Sequence, residues 1–483
     1  MSRVSPTHHD VVRDEDLPLP LERCWPALVV LCVGFFMMLL DQTIVAVATP
    51  HIQAEMSASY NQVIWVTSVY LLCFAVPLLF TGRLGDRFGP RTMYCAGMCL
   101  FTVSSLACGL APGMTALIVA RGVQGLSAAM LSPQTMSVIN RIFPRSHLGT
   151  ALGVWGATAG LAGMAGPIFG GIITQLWGWQ WVFFINVPIG VAVVAFAWRV
   201  VPEFPRLERR LDATSVLLSL VAVFLLVFGL QQGQGAGWAP WIFAVVAAGL
   251  VVGAVFFAQQ RRAERRGLEP LVPLRVFRNR NFSGGNASIF MMGMTVAGIP
   301  LPLMLYFQQV HHLSPLTSGL MMICQAGVSA ALSPVVGRLV DRHNPARLCA
   351  AGFAVLSAGI TLLCAAMSAS GSLILIGLAL VGIGVGNAFV WAPNSRITMG
   401  DLPPDLLGAG SGVYNTTRQL GAVLGTAAIG AVLQIGLAAE AAAGAAEPSG
   451  VPFGVALSLA AVATAAAAVI SLTARDPHEL DRD

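Results

Sequence analysis

The 483-residue chain contains no lysine: all 27 of its basic residues are arginines. That absence removes two kinds of chemistry. A P-loop needs a lysine on the nucleotide phosphates, and a Schiff-base enzyme needs a lysine amine. Charge of either sign is scarce, at 10% of residues against about 25% in a soluble globular domain. The nine cysteines form no C-x-x-C pair. Most of them, such as Cys32, Cys73, Cys99 and Cys364, stand inside apolar runs, where small hydrophobic filler is expected rather than a metal site or disulfide. The first 22 residues hold no apolar core, so no cleavable leader is expected before the first span.

What is abundant is grease. Hydrophobic residues make up 56% of the chain, and apolar runs near 20 residues recur along it, long enough to cross a roughly 30 Å hydrocarbon core. The reading is an all-α polytopic membrane protein. Fourteen spans are expected, at about 25–48, 62–82, 92–111, 114–138, 149–175, 181–200, 212–231, 239–260, 282–309, 317–337, 346–368, 371–396, 406–435 and 451–474. The arginines support the count. With the amino terminus inside, clusters such as Arg83, Arg87 and Arg91, or Arg261, Arg262, Arg265 and Arg266, fall in cytoplasmic loops, and no outside loop receives one. This is the positive-inside pattern, and it places both termini in the cytoplasm.

An internal repeat divides the chain. "GRLGDRFGPRTM" begins at Gly82 and "GRLVDRHNPARL" at Gly337, with Gly, Arg, Leu, Asp, Arg and Pro in register. Duplicated halves are a common transporter plan. The expected division is a tail at 1–24, a six-helix half at 25–200, two linker helices within 201–281, a second six-helix half at 282–474 and a tail at 475–483.

Several stretches together carry a family likeness: "LDQTIVAVATP" from Leu40, "GRLGDRFGPR" from Gly82, "RGVQG" from Arg121, "GPIFGG" from Gly166, "WGWQWVFFINVPIG" from Trp177, "YFQQVHHLSPLTSGL" from Tyr306 and "TTRQLG" from Thr416. In this order they resemble the major facilitator superfamily, and within it the fourteen-span drug–proton antiporters. The resemblance covers about residues 25–435. It implies two six-helix halves plus two central extra helices, and export of lipophilic small molecules against a proton gradient. Three positions depart from the family pattern: Ala162 where glycine is usual, Gln180 where arginine is usual, and "CQAG" at 324–327 in place of a proline-bearing stretch.

Asp41 is the one acidic residue deep in an expected span, where a charge costs roughly 2.5–3.5 kcal/mol on insertion scales. By the expected limits it lies about seven residues, or roughly 10 Å, from the outer end of its helix. Arg121 lies about as deep in span four, so the two are expected at one level, as a pair or facing one cavity. Burial raises a carboxylate's pKa and a nearby arginine lowers it, a balance that suits a proton carrier; a structural ion pair is the alternative. Arg418 has no acid at matching depth, so backbone carbonyls, Gln419, cavity water or an anionic substrate group must serve it. Gln42, Asn286, Gln325 and Asn387 are neutral candidates for a substrate cavity, and each suits an interhelical hydrogen bond equally well.

Span five carries Gly153, Gly156, Gly160, Gly163, Gly166 and Gly170 at three- and four-residue steps, a spacing that puts them on one helix face where backbones can approach closely. Pro167 is expected to bend that helix. The resemblance adds that Gly163, Gly166, Pro167, Gly170 and Gly171 form an antiporter seam against leak. The loop after span two, with Gly82, Arg83, Asp86, Arg87, Gly89 and Arg91, is expected to latch a cytoplasmic gate by charge-assisted hydrogen bonds to helix ends, joined by Asp341 and Arg342 from the repeat. Asp212 reads as a helix cap, and His311 and His312 as outer-loop residues.

The leading expectation is a proton-coupled exporter of lipophilic compounds in the cell membrane, working as a monomer without cofactor, metal or nucleic acid. A transporter of a defined metabolite or envelope lipid is the rival. A membrane-embedded enzyme would need clustered acids or histidines at one interface, and a channel rings of like charge; the sequence offers neither.

Overall fold

A computed structural model describes residues 18–205, 212–369, 371–444 and 447–475, and their regular structure is helical throughout. The first half contains α1 (Leu21–Glu55), α2 (Tyr60–Ala75), α3 (Leu78–Phe88), α4 (Pro90–Gly109), α5 (Met114–Ile142), α6 (Arg145–Trp177), α7 (Trp181–Phe184) and α8 (Asn186–Val200). A hairpin of α9 (Ala213–Gly233) and α10 (Pro240–Arg265) follows. The second half contains α11 (Arg280–Gly298), α12 (Pro300–Gln309), α13 (Pro315–Val340), α14 (Pro345–Ser368), α15 (Leu373–Met399), α16 (Leu407–Ala442) and α17 (Val451–Leu472). Among the described residues thirteen helical segments, counting α7–α8 and α11–α12 as one each, are long and apolar enough to cross a membrane, and the pair α2–α3, bent by 50°, makes a fourteenth.

The bend has a local cause. Pro77 sits between α2 and α3, lacks a backbone donor and cannot continue the ladder. The next part of the chain corrects the sequence reading. Residues 82–88, read as a loop, are the end of α3, and the connection to α4 is Gly89 alone, with φ +91°. A side chain is disfavoured in that left-handed region. Two helices also outrun their expected ends: α1 continues to Glu55 and α16 to Ala442. The α9–α10 hairpin forms as expected, with Asp212 capping Thr214 and Ser215.

Each half builds most of one core, and the two share a few residues: Met136 joins the second-half cluster, and Val336, Val340, Ala388 and Ala392 join the first. One large buried cluster packs α11–α17, centred on residues such as Phe282, Tyr306, Phe353 and Phe453, and another packs α1–α8 around Phe35, Tyr94, Phe101 and Leu152. Contact between the halves is concentrated at the end that carries the arginines. There a Cβ added to Gly82 would collide with the backbone of Gly408 and Gly412, and one added to Gly337 with Gly149 and Gly153. The repeat glycines thus each seat on a pair of small residues in the opposite half. Ser132 of α5 donates to Asn415 of α16 at 2.9 Å, and Ser411 to the carbonyl of Pro133 at 2.7 Å.

Beyond this end the helices part. Gly160 still packs against Ala326 and Ala330, but Gly163 and Gly171 on α6, and Gly319 and Gly327 on α13, have nothing within 4 Å of an added Cβ. On the other flank α9 fills the seam between α2 and α16. Val223 and Val227 pack with Leu72 and Ala75, and with Leu420 and Val423. Gln234 donates to the Thr426 carbonyl at 3.2 Å. Its partner α10 is mostly exposed, with Ile242, Gly249, Phe256 and Gln260 buried.

Candidate functional site

Four elements converge on Asp41, which is fully buried. Arg121 of α5 pairs with it at 2.5 Å. Gln124, one turn further on, donates to the other carboxylate oxygen at 2.9 Å and accepts from Arg121 at 2.7 Å. Asn186, the first residue of α8, donates to Asp41 at 3.1 Å and to Ser105 of α4 at 3.0 Å. Arg121 also donates to the Val66 carbonyl at 3.2 Å and lies 4.2 Å from the Tyr70 ring centre. A buried charge is tolerated when paired and hydrogen-bonded, and here both charges are. The pair expected from depth is therefore in contact, although α1 runs a further two turns past its expected end.

Gln124 and Asn186 were not singled out from the sequence. Both lie inside stretches quoted above, "RGVQG" and "WGWQWVFFINVPIG", but nothing in their spacing says that their amides turn toward Asp41.

At the arginine-rich end, Asp86 is buried and contacts Arg141 at 3.0 Å and Arg83 at 3.8 Å. A Cβ on Gly408, near the start of α16, would strike its carboxylate. Arg83 reaches across to the strap between α10 and α11, donating to Leu271 at 2.7 Å and to Pro270 at 2.5 Å. The expected gate set is only partly assembled. Arg87 is exposed, while Arg91 turns to Glu203 and the Trp198 ring at the end of α8. In the repeat, Asp341 accepts from the backbone N–H groups of Gly149 and Thr150 at 2.6 and 2.9 Å, and from the Thr150 hydroxyl at 2.5 Å. Arg342 is exposed. Each repeat aspartate therefore sits against the start of a helix in the opposite half.

The six α6 glycines do not form one seam, which corrects the sequence reading. Gly153 and Gly160 face α13, Gly156 faces Trp391 of α15, and Gly166 and Gly170 pack on Thr43, Ile44 and Val47 of α1. The helix runs unbroken through position 167, and the ring of Pro167 lies outside the described side chains. Proline acts visibly in α5 instead. Pro133 leaves the Ala129 carbonyl without its helical donor, and the Thr81 hydroxyl takes it at 2.7 Å.

Among the cavity candidates, Asn286 is buried and donates to the Phe282 carbonyl at 2.8 Å. Its side-chain oxygen, like that of buried Asn387, has no partner among the described residues. Gln42, Gln325 and Arg418 are half-buried. Among the described residues no group of three His, Cys, Asp or Glu side chains is placed to hold a metal ion.

Two helical halves closed against each other at one end and parted at the other, with an ion pair buried in one of them, define a membrane carrier. The family model described as Major Facilitator Superfamily matches residues 31–231 and 211–426, and the chain belongs to that superfamily. It is a multi-pass membrane transporter. An uncharacterized MFS-type transporter of Mycobacterium tuberculosis is 45% identical over 416 residues, covering 86% of this chain and 71% of its own. The tetracenomycin C resistance and export protein of Streptomyces glaucescens is 34% identical, covering 85% and 76%. A solved proton:xylose symporter shares the fold, with a TM-score of 0.67 at 13% identity over 93% of this chain and 95% of its own.

Proposed function

We propose that the protein is a proton-coupled antiporter that exports lipophilic small molecules across the cell membrane, with the arginine-rich end and both termini in the cytoplasm. The observation that carries this reading is the Asp41 cluster. A carboxylate with an arginine and two amides around it, sealed from water and joining α1, α4, α5 and α8, is a proton site whose occupancy every one of those helices feels. Protonation removes the attraction between Asp41 and Arg121 and loosens α1 from α5. In the conformation described, the latches of Asp86 and Asp341 hold the cytoplasmic end closed while the far end is parted, which is the state that releases cargo outside. Proton uptake by Asp41 from that side then favours return to the inward-facing state, and proton loss inside resets it. The name of the Streptomyces relative supports export as the direction.

The test is Asp41→Asn in proteoliposomes, with transport driven by an imposed pH gradient and normalised to folded protein. Asparagine keeps the size but carries no titrating proton. Gradient-driven movement is expected to fall at least about tenfold, the effect of roughly 1.4 kcal/mol on a coupling step, while Asp41→Glu retains part of it. Wild-type coupling in Asp41→Asn removes this residue from the mechanism and makes the pair a structural brace. A panel of unrelated lipophilic compounds in the same assay separates broad export from transport of one metabolite or lipid.

A further inference from the structure

The outer surface of α10 changes character once. From Pro240 to Ala258 it is apolar, with Leu250, Val251, Val255 and Phe257 half or more exposed, as a face turned to lipid must be. At 1.5 Å per residue that section is roughly 28 Å long, close to the roughly 30 Å of a hydrocarbon core. Trp241 stands exposed at its first turn, where aromatic side chains gather at a membrane interface. At the other end the exposed row of Val251, Ala254 and Ala258 runs on, at three- and four-residue steps, into Arg261 and Arg265. Arg262 and Arg266 lie beside them. All four arginines are exposed, and none has a side-chain hydrogen bond or ion pair among the described residues.

A helix C-terminus favours cations, and cytoplasmic loops collect arginine. Neither calls for two like-charged pairs at i, i+4, 261 with 265 and 262 with 266, which destabilise a helix unless an anion lies between them. Glu264 does not relieve them, because it turns to the strap and accepts from the Arg275 N–H at 3.3 Å. The strap makes this corner rigid. Buried Gln260 donates to Ser215 at 2.9 Å and accepts from the Val272 N–H at 3.2 Å. Leu271, Val272 and Val276 join Phe256 in the second-half core. Leu268, between the arginines and the buried part of the strap, is left 61% exposed.

From this geometry we infer that the end of α10 is a seat for an anionic phospholipid of the leaflet at the arginine-rich end. The headgroup phosphate bridges the paired guanidiniums by charge-assisted hydrogen bonds, the acyl chains lie along the apolar face of α10, and Leu268 enters the same layer. An acidic protein or a nucleic acid would match the charge alone. The apolar face that leads directly into the arginines matches a lipid. No cargo, proton step or direction of transport enters this inference.

The experiment is native mass spectrometry of the purified full-length protein in detergent, titrated with dioleoyl phosphatidylglycerol or dioleoyl phosphatidylcholine, which share acyl chains. Wild type is expected to bind the first phosphatidylglycerol about tenfold more tightly or better. The variant R261Q/R262Q/R265Q/R266Q is expected to bring that preference within about two-fold. The milder R261Q/R265Q is expected to lose at least about threefold, which tests the seat even if the fourfold variant does not fold. The control R23Q/R199Q/R338Q/R347Q removes four exposed arginines from the same end of the molecule, has the same net charge and is expected to keep most of the preference. Equal loss in the control and the fourfold variant assigns the effect to general charge and overturns the seat, as does a wild type without preference. A preference that emerges only on deletion of residues 476–483, "DPHELDRD", gives the arginines to that acidic tail and also overturns it.

Discussion

Asn186 has no charge and no place in a recognisable catalytic pattern, yet it joins three helices. Its amide holds Asp41 from α8 while also meeting Ser105 of α4. Replacing it with alanine strips one donor from a buried carboxylate, and a fall in stability of about 1–3 kcal/mol is expected. Asn186→Asp is nearly isosteric but places a second carboxylate beside the first. Two ionised carboxylates in one dry site repel, and one takes up a proton as pH falls. The variant is therefore expected to melt well below wild type at about pH 7.5 and to recover part of the gap at about pH 5.5. An equal deficit at both pH values would show that the two carboxylates do not interact. Residues of this kind explain the limit of sequence reading. Asp41 and Arg121 stand out because a charge in hydrocarbon demands a reason. Gln124 and Asn186 are mild in any environment, and only the fold turns them toward the carboxylate.

At the level of helices, the apolar runs located nearly every span, because a lipid-crossing segment must be long and continuous. What they did not show is where hydrogen bonding ends. The stretch from Gly82 is polar and was read as loop, yet α3 keeps its helix to Phe88 since its charged face seats against the other half and the strap. Helix starts are also set by single side chains. Asp212 accepts from the N–H groups of Thr214 and Ser215, from the Ser215 hydroxyl and from Gln259 of α10. The Ser215 hydroxyl, chiefly, holds the Asp212 carboxyl below its ordinary value, against the opposing pull of partial burial. A lowered folded pKa means that this cap is at full strength above the ordinary carboxylate range and is lost as pH falls through the lowered value. Asp212→Ala is expected to cost about 1 kcal/mol in thermal unfolding near neutral pH, with the deficit shrinking in acid. Asp212→Asn, which can still cap, is expected to lose less. Equal losses would mean that the charge, not the cap, is what α9 uses.

At the scale of the whole molecule, the two aspartates of the repeat each lie against a helix start of the opposite half. Asp341 accepts three hydrogen bonds near the start of α6, and these exist only while the arginine-rich end is closed. Asp341→Ala removes them. With charge-assisted bonds worth about 1.5–3 kcal/mol, a shift of roughly tenfold or more toward the opened end is expected. Spin labels at Ser146 and Arg347, both at that end, are expected to show a longer distance distribution in the variant. An unchanged distribution in folded protein would mean that the glycine contacts alone hold the end shut. The two-half plan was legible because six identities recur in register. The direction of the opening was not, because it depends on which of two packings the same residues adopt.

The α9–α10 hairpin gives the bundle a spine. Since α9 grips α2 through Leu72 and Ala75 and α16 through Leu420, Val423 and Thr426, the two covers of this book are bound along one edge. On the opposite edge α6 and α13 part beyond Gly160, where a Cβ added to Gly171 or Gly319 meets nothing within 4 Å. A twelve-helix bundle without such a binding has two alike margins. Here one margin is stitched by a third helix and the other is not, so the two edges of the bundle are unlike.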